Sequence, residues 1–175
     1  MLFEDETDVL WFPPLAGTWA RRGQSRPVVL GGQNERRVLF GALHLHSGHR
    51  LLLPQEHQRA VDFQEFLDVL AWHYRGWYPL VLLDEDSSHT ADASQGLADD
   101  MDIELLWLPK RAPHLNGMDH LWRHGKAVVS VNRQYQTVDE HMDRLMSQLL
   151  SLSPQQARRQ AGILSERFWL RDCLR

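Results

Sequence analysis

The 175 residues carry 43% hydrophobic and 24% charged side chains, ordinary for a globular chain with room for one substantial core. No apolar run approaches the roughly 18 residues a membrane span needs, and Met1-Leu-Phe-Glu-Asp lacks the basic and apolar stretches of a signal peptide, so neither is expected. A single cysteine, Cys173, excludes an internal disulfide and a Cys-rich zinc centre, and a cytoplasmic setting is the default.

The net charge of −4 hides a split. Residues 1–109 hold 8 basic and 17 acidic side chains, a net of −9, whereas residues 110–175 hold 11 and 6, a net of +5. An acidic half suited to cations beside a basic half suited to phosphate fits a metal-dependent nuclease, although chance gives the same asymmetry on a solvated surface.

In chain order, Thr7–Phe12 reads as a strand that Pro13-Pro14 ends, since proline cannot donate to a ladder. Residues 27–31, 37–46 and 50–54 continue a meander of short strands bounded by glycine turns. Phe63, Phe66, Leu67, Leu70 and Ala71 recur at helical spacing within Asp62–Trp77. Leu80–Leu83 is a continuous apolar run, as in a strand buried on both faces. Ser88–Asp100 reads as helix, Ile103–Leu108 as a second buried strand, and Asn116–Val131, Val138–Leu150 and Pro154–Arg167 as helices. Thr137 and Ser153 are positioned to cap the last two. The order β-β-β-α-β-α-β-α, then more helix, predicts an α/β fold with a mixed five-stranded sheet flanked by helices, similar to the ribonuclease-H-like element order. One domain over 1–175 is expected, with a core at about 1–130 and C-terminal helices over 137–169.

Three acids stand out. Asp5 lies at the start of the first strand, Asp84 ends the apolar run Leu80–Leu83, and Asp119 falls in a helix start after Leu108-Pro-Lys-Arg-Ala-Pro-His-Leu-Asn-Gly-Met. A carboxylate ending a buried strand is costly unless it sits at a rim or is paired, and sites in open α/β sheets form beyond the carboxyl ends of strands.

Val81-Leu-Leu-Asp84-Glu-Asp-Ser-Ser-His89 resembles the second catalytic motif of mariner-like insertion-sequence transposases, in which an Asp ends a hydrophobic strand with a His five positions on. Leu108-Pro109, then Pro113-His-Leu115-Asn116-Gly-Met-Asp119-His-Leu-Trp122 with Lys126, resembles their third motif. Phe3-Glu-Asp5-Glu6 with Trp11, Pro14, Trp19 and Gly23 resembles their first. The resemblance covers about 1–130, with looser helical similarity to about 169. It implies a DDE/DDD-type catalytic domain in which Asp5, Asp84 and Asp119 hold Mg²⁺, with Mn²⁺ as a substitute and two ions expected. Two such ions suit in-line displacement at phosphorus and prefer hard oxygen ligands. Asp5 would bridge both ions, Asp84 and Asp119 binding one each. It further implies cut-and-paste chemistry. Water frees a 3′-OH at the transposon end, and that hydroxyl attacks target DNA, normally at TA. A homodimer and a bacterial setting with the nucleoid are implied too.

The pattern is not matched throughout. Asp119 stands where relatives use Asp or Glu, Gly117 replaces a proline and is expected to loosen the turn that aims Asp119, Glu85 replaces an Asn, and Lys110-Arg111-Ala112 replaces Pro-Tyr-Ser. The family's N-terminal helix-turn-helix region, which reads transposon ends, has no counterpart here. It is expected from a separate or frameshifted upstream frame, or else the chain is a truncated copy. The rival readings are therefore an inactive relic acting as a DNA-binding or dimerisation module, and another nuclease of the same fold, such as a resolvase or RNA/DNA-hybrid hydrolase. Arg21, Arg22, Lys110, Arg111, Arg123, Lys126 and Arg133 are candidates for contacts to the DNA backbone, which carry no sequence information.

Ordinary structural roles compete at each position. Glu6, Glu85 and Asp86 read as rim charges, and His89 as a hydrogen-bonding partner near Asp84 or DNA with a possible accessory role. Asn116 reads as a backbone-bonding turn residue, and Cys173 as inert. His44, His46 and His49, and His120 with His124, have spacings zinc can use, but no glutamate completes a zinc-protease motif. Trp72, Trp107 and Trp122 read as core, while Trp11 and Trp19 could flank DNA.

Overall fold

The computed structural model describes residues 1–24, 27, 28 and 30–174. Five strands form one mixed sheet in the order β3-β2-β1-β4-β5. Strand β1 (Leu2–Leu10) is central. β2 (Arg36–His44) and β3 (Arg50–Gln55) extend it as an antiparallel meander, and β4 (Leu80–Leu83) and β5 (Glu104–Trp107) add on its other side in parallel. Helices α1 (Ala60–His73), α2 (Ser87–Thr90) and α3 (Asp92–Asp100) lie in the crossovers, followed by α4 (Gly117–Val129), α5 (Val138–Ser151) and α6 (Pro154–Gln160).

Side chains alternate across a strand, so each strand feeds two cores. Leu2, Val38, Phe40, Ala42, Val81 and Leu83 pack against Phe63, Phe66, Leu67 and Leu70 of α1 and Ala98 of α3. Phe3, Val9, Leu39, Leu43 and Leu82 pack against Met118, Leu121 and Trp122 of α4 and Met142, Leu145 and Leu149 of α5. The same alternation along β1 turns Glu4 and Glu6 toward the first helical layer and Asp5 toward the second.

The sheet is the expected one, and the differences have local causes. β1 starts at Leu2, five residues before the sequence reading, because its acid-rich half is paired and lodged at a site instead of being solvated. The described part of residues 27–31 is not strand, and Val29 lies outside the described residues. Gly31 gives both its backbone groups to the Gln134 amide, each at 2.9 Å, as Ala16 does to Asn132. At Ala16 and Gly31 the 11–35 connection is thus held by side-chain amides from the segment after α4. The expected helix 88–100 breaks at Ala91, where ψ is 133°. The expected helix 154–167 stops at Gln160, because Gly162 takes a φ of 76° and closes the end with Ile163 N–H on the Arg158 carbonyl. Trp122 is core, but Trp72 is 70% exposed under Arg75 and Trp107 is 38% exposed on an edge strand.

Gly117 is set by space. A Cβ there would lie 2.7 Å from Cδ2 of Phe3, which is fully buried and edge-on to Phe168. The turn before α4 is therefore tightly packed, not loosened. Gly117→Ala is expected to cost about 1–3 kcal/mol in urea unfolding, and Gly117→Pro, which carries the same Cβ, to lower stability as well. An unchanged midpoint would show that Phe3 yields freely.

Candidate active site

The parallel register between β1 and β4 pairs Leu2 with Val81 and Phe3 with Leu82; carried two residues on, it sets Asp5 beside Asp84. Both then face α4. Helix α4 is fixed at its start by Asn116, whose Oδ1 accepts from Met118 N–H at 3.0 Å while its Nδ2 donates to the Glu4 carbonyl at 2.6 Å. That double contact ties the first turn of α4 to β1 next to Asp5 and brings Asp119 across from it. Asp5, Asp84 and Asp119 line one cavity of about 230 Å³ with Leu108, Pro109, Arg111, Ala112, Pro113 and Asn116.

The cavity is electrostatically tense. Burial first, then Glu6, Asp84 and Asp119, push the Asp5 carboxyl up to about 8. Asp84, with a side chain 62% exposed, is held below the usual carboxylate range by its hydrogen bond to His89, against the effect of burial. Asp119 pairs with Arg123 one turn along α4. Lys126, lowered by burial, lies within the field of Asp8, Asp5 and Asp119.

Behind the cavity, on the other face of β1, lies a buried cluster that sequence reading missed in part. Nδ1 of His89 donates to the Asp84 carbonyl at 3.0 Å and lies 3.2 Å from Asp84 Oδ1. Nε2 donates to Glu6 Oε1 at 2.9 Å and lies 3.6 Å from Glu4 Oε2, and the ring packs on Phe63 at 4.5 Å. Burial alone would lower His89, but Glu4, Asp84 and Glu6 outweigh it and push the imidazolium up to about 12. Glu4 is fully buried with both carboxylate oxygens lacking a hydrogen bond, and burial and Glu6 hold it well above the ordinary range. Glu6 is therefore no rim charge: its side chain is 5% exposed. Donor atoms of Glu4, Glu6 and His89 lie within 4.8 Å of one another, a metal-compatible spacing, but both ring nitrogens are already engaged, Nδ1 by the Asp84 carbonyl and Nε2 by Glu6 Oε1. Glu4 was legible only through alternation, which puts it on the Glu6 face.

The other candidates divide. Arg111 reaches the cavity wall. Lys110 pairs with Glu85 at 2.9 Å, and Asp86 caps α2 by accepting from Ser88 N–H. Arg21, Arg22 and Trp19 stay exposed on the 11–35 connection and line no part of the cavity, while Trp11 donates to the Tyr135 carbonyl. Among the histidines weighed for zinc, His44 bonds Ser47 and His49 stacks on His73 at 4.6 Å.

A central strand with an antiparallel meander on one side and parallel strands on the other, flanked by helices, is a ribonuclease-H-like arrangement. Two solved structures share it over 99% of this chain and 54% of their own. They are a Mos1 transposase paired-end complex with left transposon end (TM-score 0.72, 18% identity) and a mariner Mos1 paired-end complex with Mg (0.71, 19%). Residues 1–141 match the DDE superfamily endonuclease family, and the chain belongs to it. An insertion element IS630 uncharacterized 39 kDa protein of Shigella sonnei is 26% identical over 156 residues, covering 88% of this chain and 46% of that protein. The chain thus spans about half the length of these relatives.

His89 is the one cation inside the cluster described above, so its removal leaves buried carboxylates uncompensated. His89→Leu is expected to lose about 3–5 kcal/mol in urea unfolding and to raise the Asp84 pKa followed by carboxyl NMR. An Asp84 titration that does not move would show that His89 does not hold it.

Proposed function

We propose that this chain is the catalytic domain of a metal-dependent DNA transposase, with Asp5, Asp84 and Asp119 as its metal-binding acids. The observation that carries the reading is the shared cavity: carboxylates from β1, β4 and α4 open onto one space, where burial first, and then Glu6, Asp84 and Asp119, push Asp5 up to about 8. Such crowding is relieved by a cation, and an all-oxygen donor set suits Mg²⁺ or Mn²⁺. The Mos1 structures, one with Mg and one with transposon-end DNA, support the same ion and substrate class here.

When bound, divalent ions activate an attacking oxygen and stabilise a leaving one at phosphorus. The chain's own residues supply placement. Asp5 is fixed in the middle of β1, Asp84 is oriented by His89, and Asp119 is carried by a helix that Asn116 locks to β1. Water attacks the phosphorus of the end phosphodiester and its bond to the 3′ oxygen breaks; in the second step the freed 3′-OH attacks a target phosphorus and the target strand's own 3′ oxygen leaves. Leu108, Pro109, Ala112 and Pro113, from the connection between β5 and α4, wall the cavity.

Asp84→Asn is expected to reduce Mn²⁺-dependent nicking of supercoiled plasmid by at least about 100-fold with the fold intact by circular dichroism. Nicking at the wild-type rate would sink the assignment.

Asp5 gives a pH test. Its folded pKa lies above the ordinary 3.8, so folding takes up a proton between about 4 and 8, and metal-free stability falls as pH rises through that window. Asp5→Asn should melt within a degree of wild type near pH 4 and on the order of a few degrees above it at pH 8, while losing stabilisation by Mn²⁺. Parallel melting curves across this range would refute the raised Asp5 pKa.

A further inference from the structure

The connection from β5 to α4 turns sharply at Pro109. Ala112 N–H donates to the Pro109 carbonyl at 3.2 Å, and Arg111, at the third position, has a φ of 59°. Positive φ at the third residue alone is the pattern of a type II turn, where glycine or asparagine is usual. A long side chain there holds a backbone conformation that glycine would adopt without strain. Packing does not demand it, since Arg111 is exposed. Nor does ion pairing: among the described residues Lys110 takes Glu85 and Arg123 takes Asp119, and Arg111 forms no salt bridge. What Arg111 does is line the cavity that holds Asp5, Asp84 and Asp119.

We infer that Arg111 is a catalytic residue that grips the non-bridging oxygens of the phosphodiester under attack. This rests on the reading of the cavity as a phosphoryl-transfer site. A guanidinium presents a planar fork of donors that matches two phosphate oxygens, and it cannot lose its charge. Negative charge on those oxygens is what an acid-lined cavity handles worst, because three carboxylates repel the substrate that must enter. A cation on the cavity wall, not committed to any of the acids, offsets that repulsion and stabilises the transition state. Backbone strain kept at the rim of a site is the usual companion of such a role. Of the described basic residues, Arg111 is the one that shares a wall with all three acids.

The test uses the whole chain with Arg111→Gly and Arg111→Lys, a fluorescent 30-base-pair duplex and supercoiled plasmid in Mn²⁺. Arg111→Gly is expected to melt about 2–4 °C higher because the turn relaxes, and to bind Mn²⁺ within about twofold of wild type. It should nick at least about 30-fold more slowly in kcat, and the slope of log affinity for the duplex against log salt should shrink by about 0.9, one phosphate contact. Arg111→Lys should fall between. A more stable variant with lower activity is an outcome that a purely structural arginine does not give. Unchanged nicking in Arg111→Gly overturns the assignment. If wild type binds Mn²⁺ but does not nick, it is the reading of the activity that fails, and an unchanged salt slope in Arg111→Gly then overturns the phosphate contact by itself.

Discussion

The site depends on one buried ring. His89 stands between Glu6 and Asp84, with Glu4 at its back, and it is the only cation that the described residues place among these carboxylates. Removing one partner from a buried charge cluster costs several kcal/mol, so the acids of β1 and the end of β4 are stable together only while α2 delivers the imidazolium. The dependence runs both ways. A helix of four residues does not stand alone. α2 persists because Asp86 caps it, because Ser94 bonds the Ser88 carbonyl, and because His89 is anchored from both ring nitrogens. An interaction that reads as internal electrostatics therefore decides where a cavity acid points.

Asn116 plays the matching part on the other face of the sheet. It spends its oxygen on capping α4 and its nitrogen on the Glu4 carbonyl, so the helix carrying Asp119 and the strand carrying Asp5 share one side chain as a joint. Gly41, directly opposite Asp5 on β2, keeps the same neighbourhood open. A Cβ there would lie 2.5 Å from the Trp122 ring, which lies over the sheet at that point. Strand register, an imidazolium and an amide thus hold three acids of three elements on one cavity.

Where the sequence was readable, one physical signal dominated. Leu80–Leu83 is uniformly apolar because β4 is covered on both faces, so both its limits and the exposed acid after it were legible. Thr137 and Ser153 were legible because caps act locally. β1 was not, since Glu4, Asp5, Glu6 and Asp8 look like a solvated segment until the partners of Glu4 and Glu6, some 83 residues away, are in place. Residues 27–31 misled for the opposite reason: an apolar run with glycine bounds looks like a strand, yet the groups that satisfy Gly31 belong to the side chain of Gln134. Trp72 fails a rule that treats tryptophan as core, because its helix position faces outward and Arg75 covers the ring.

Three positions at which the motif resemblance is incomplete, Glu85, Lys110 and Gly117, each have a structural partner. Glu85 is a second acid beside Asp84, and Lys110, beyond α2, α3 and β5, meets it at 2.9 Å. As an exposed pair this contributes only about 0–1 kcal/mol to stability, so its value lies in cancelling the extra charge near the cavity. Gly117 in turn leaves the space that the Phe3 ring fills, and Phe3 is the residue that seats α4 against β1. The charge at position 85 and the space at position 117 are thus each answered by a neighbour, Lys110 for the first and the Phe3 ring for the second.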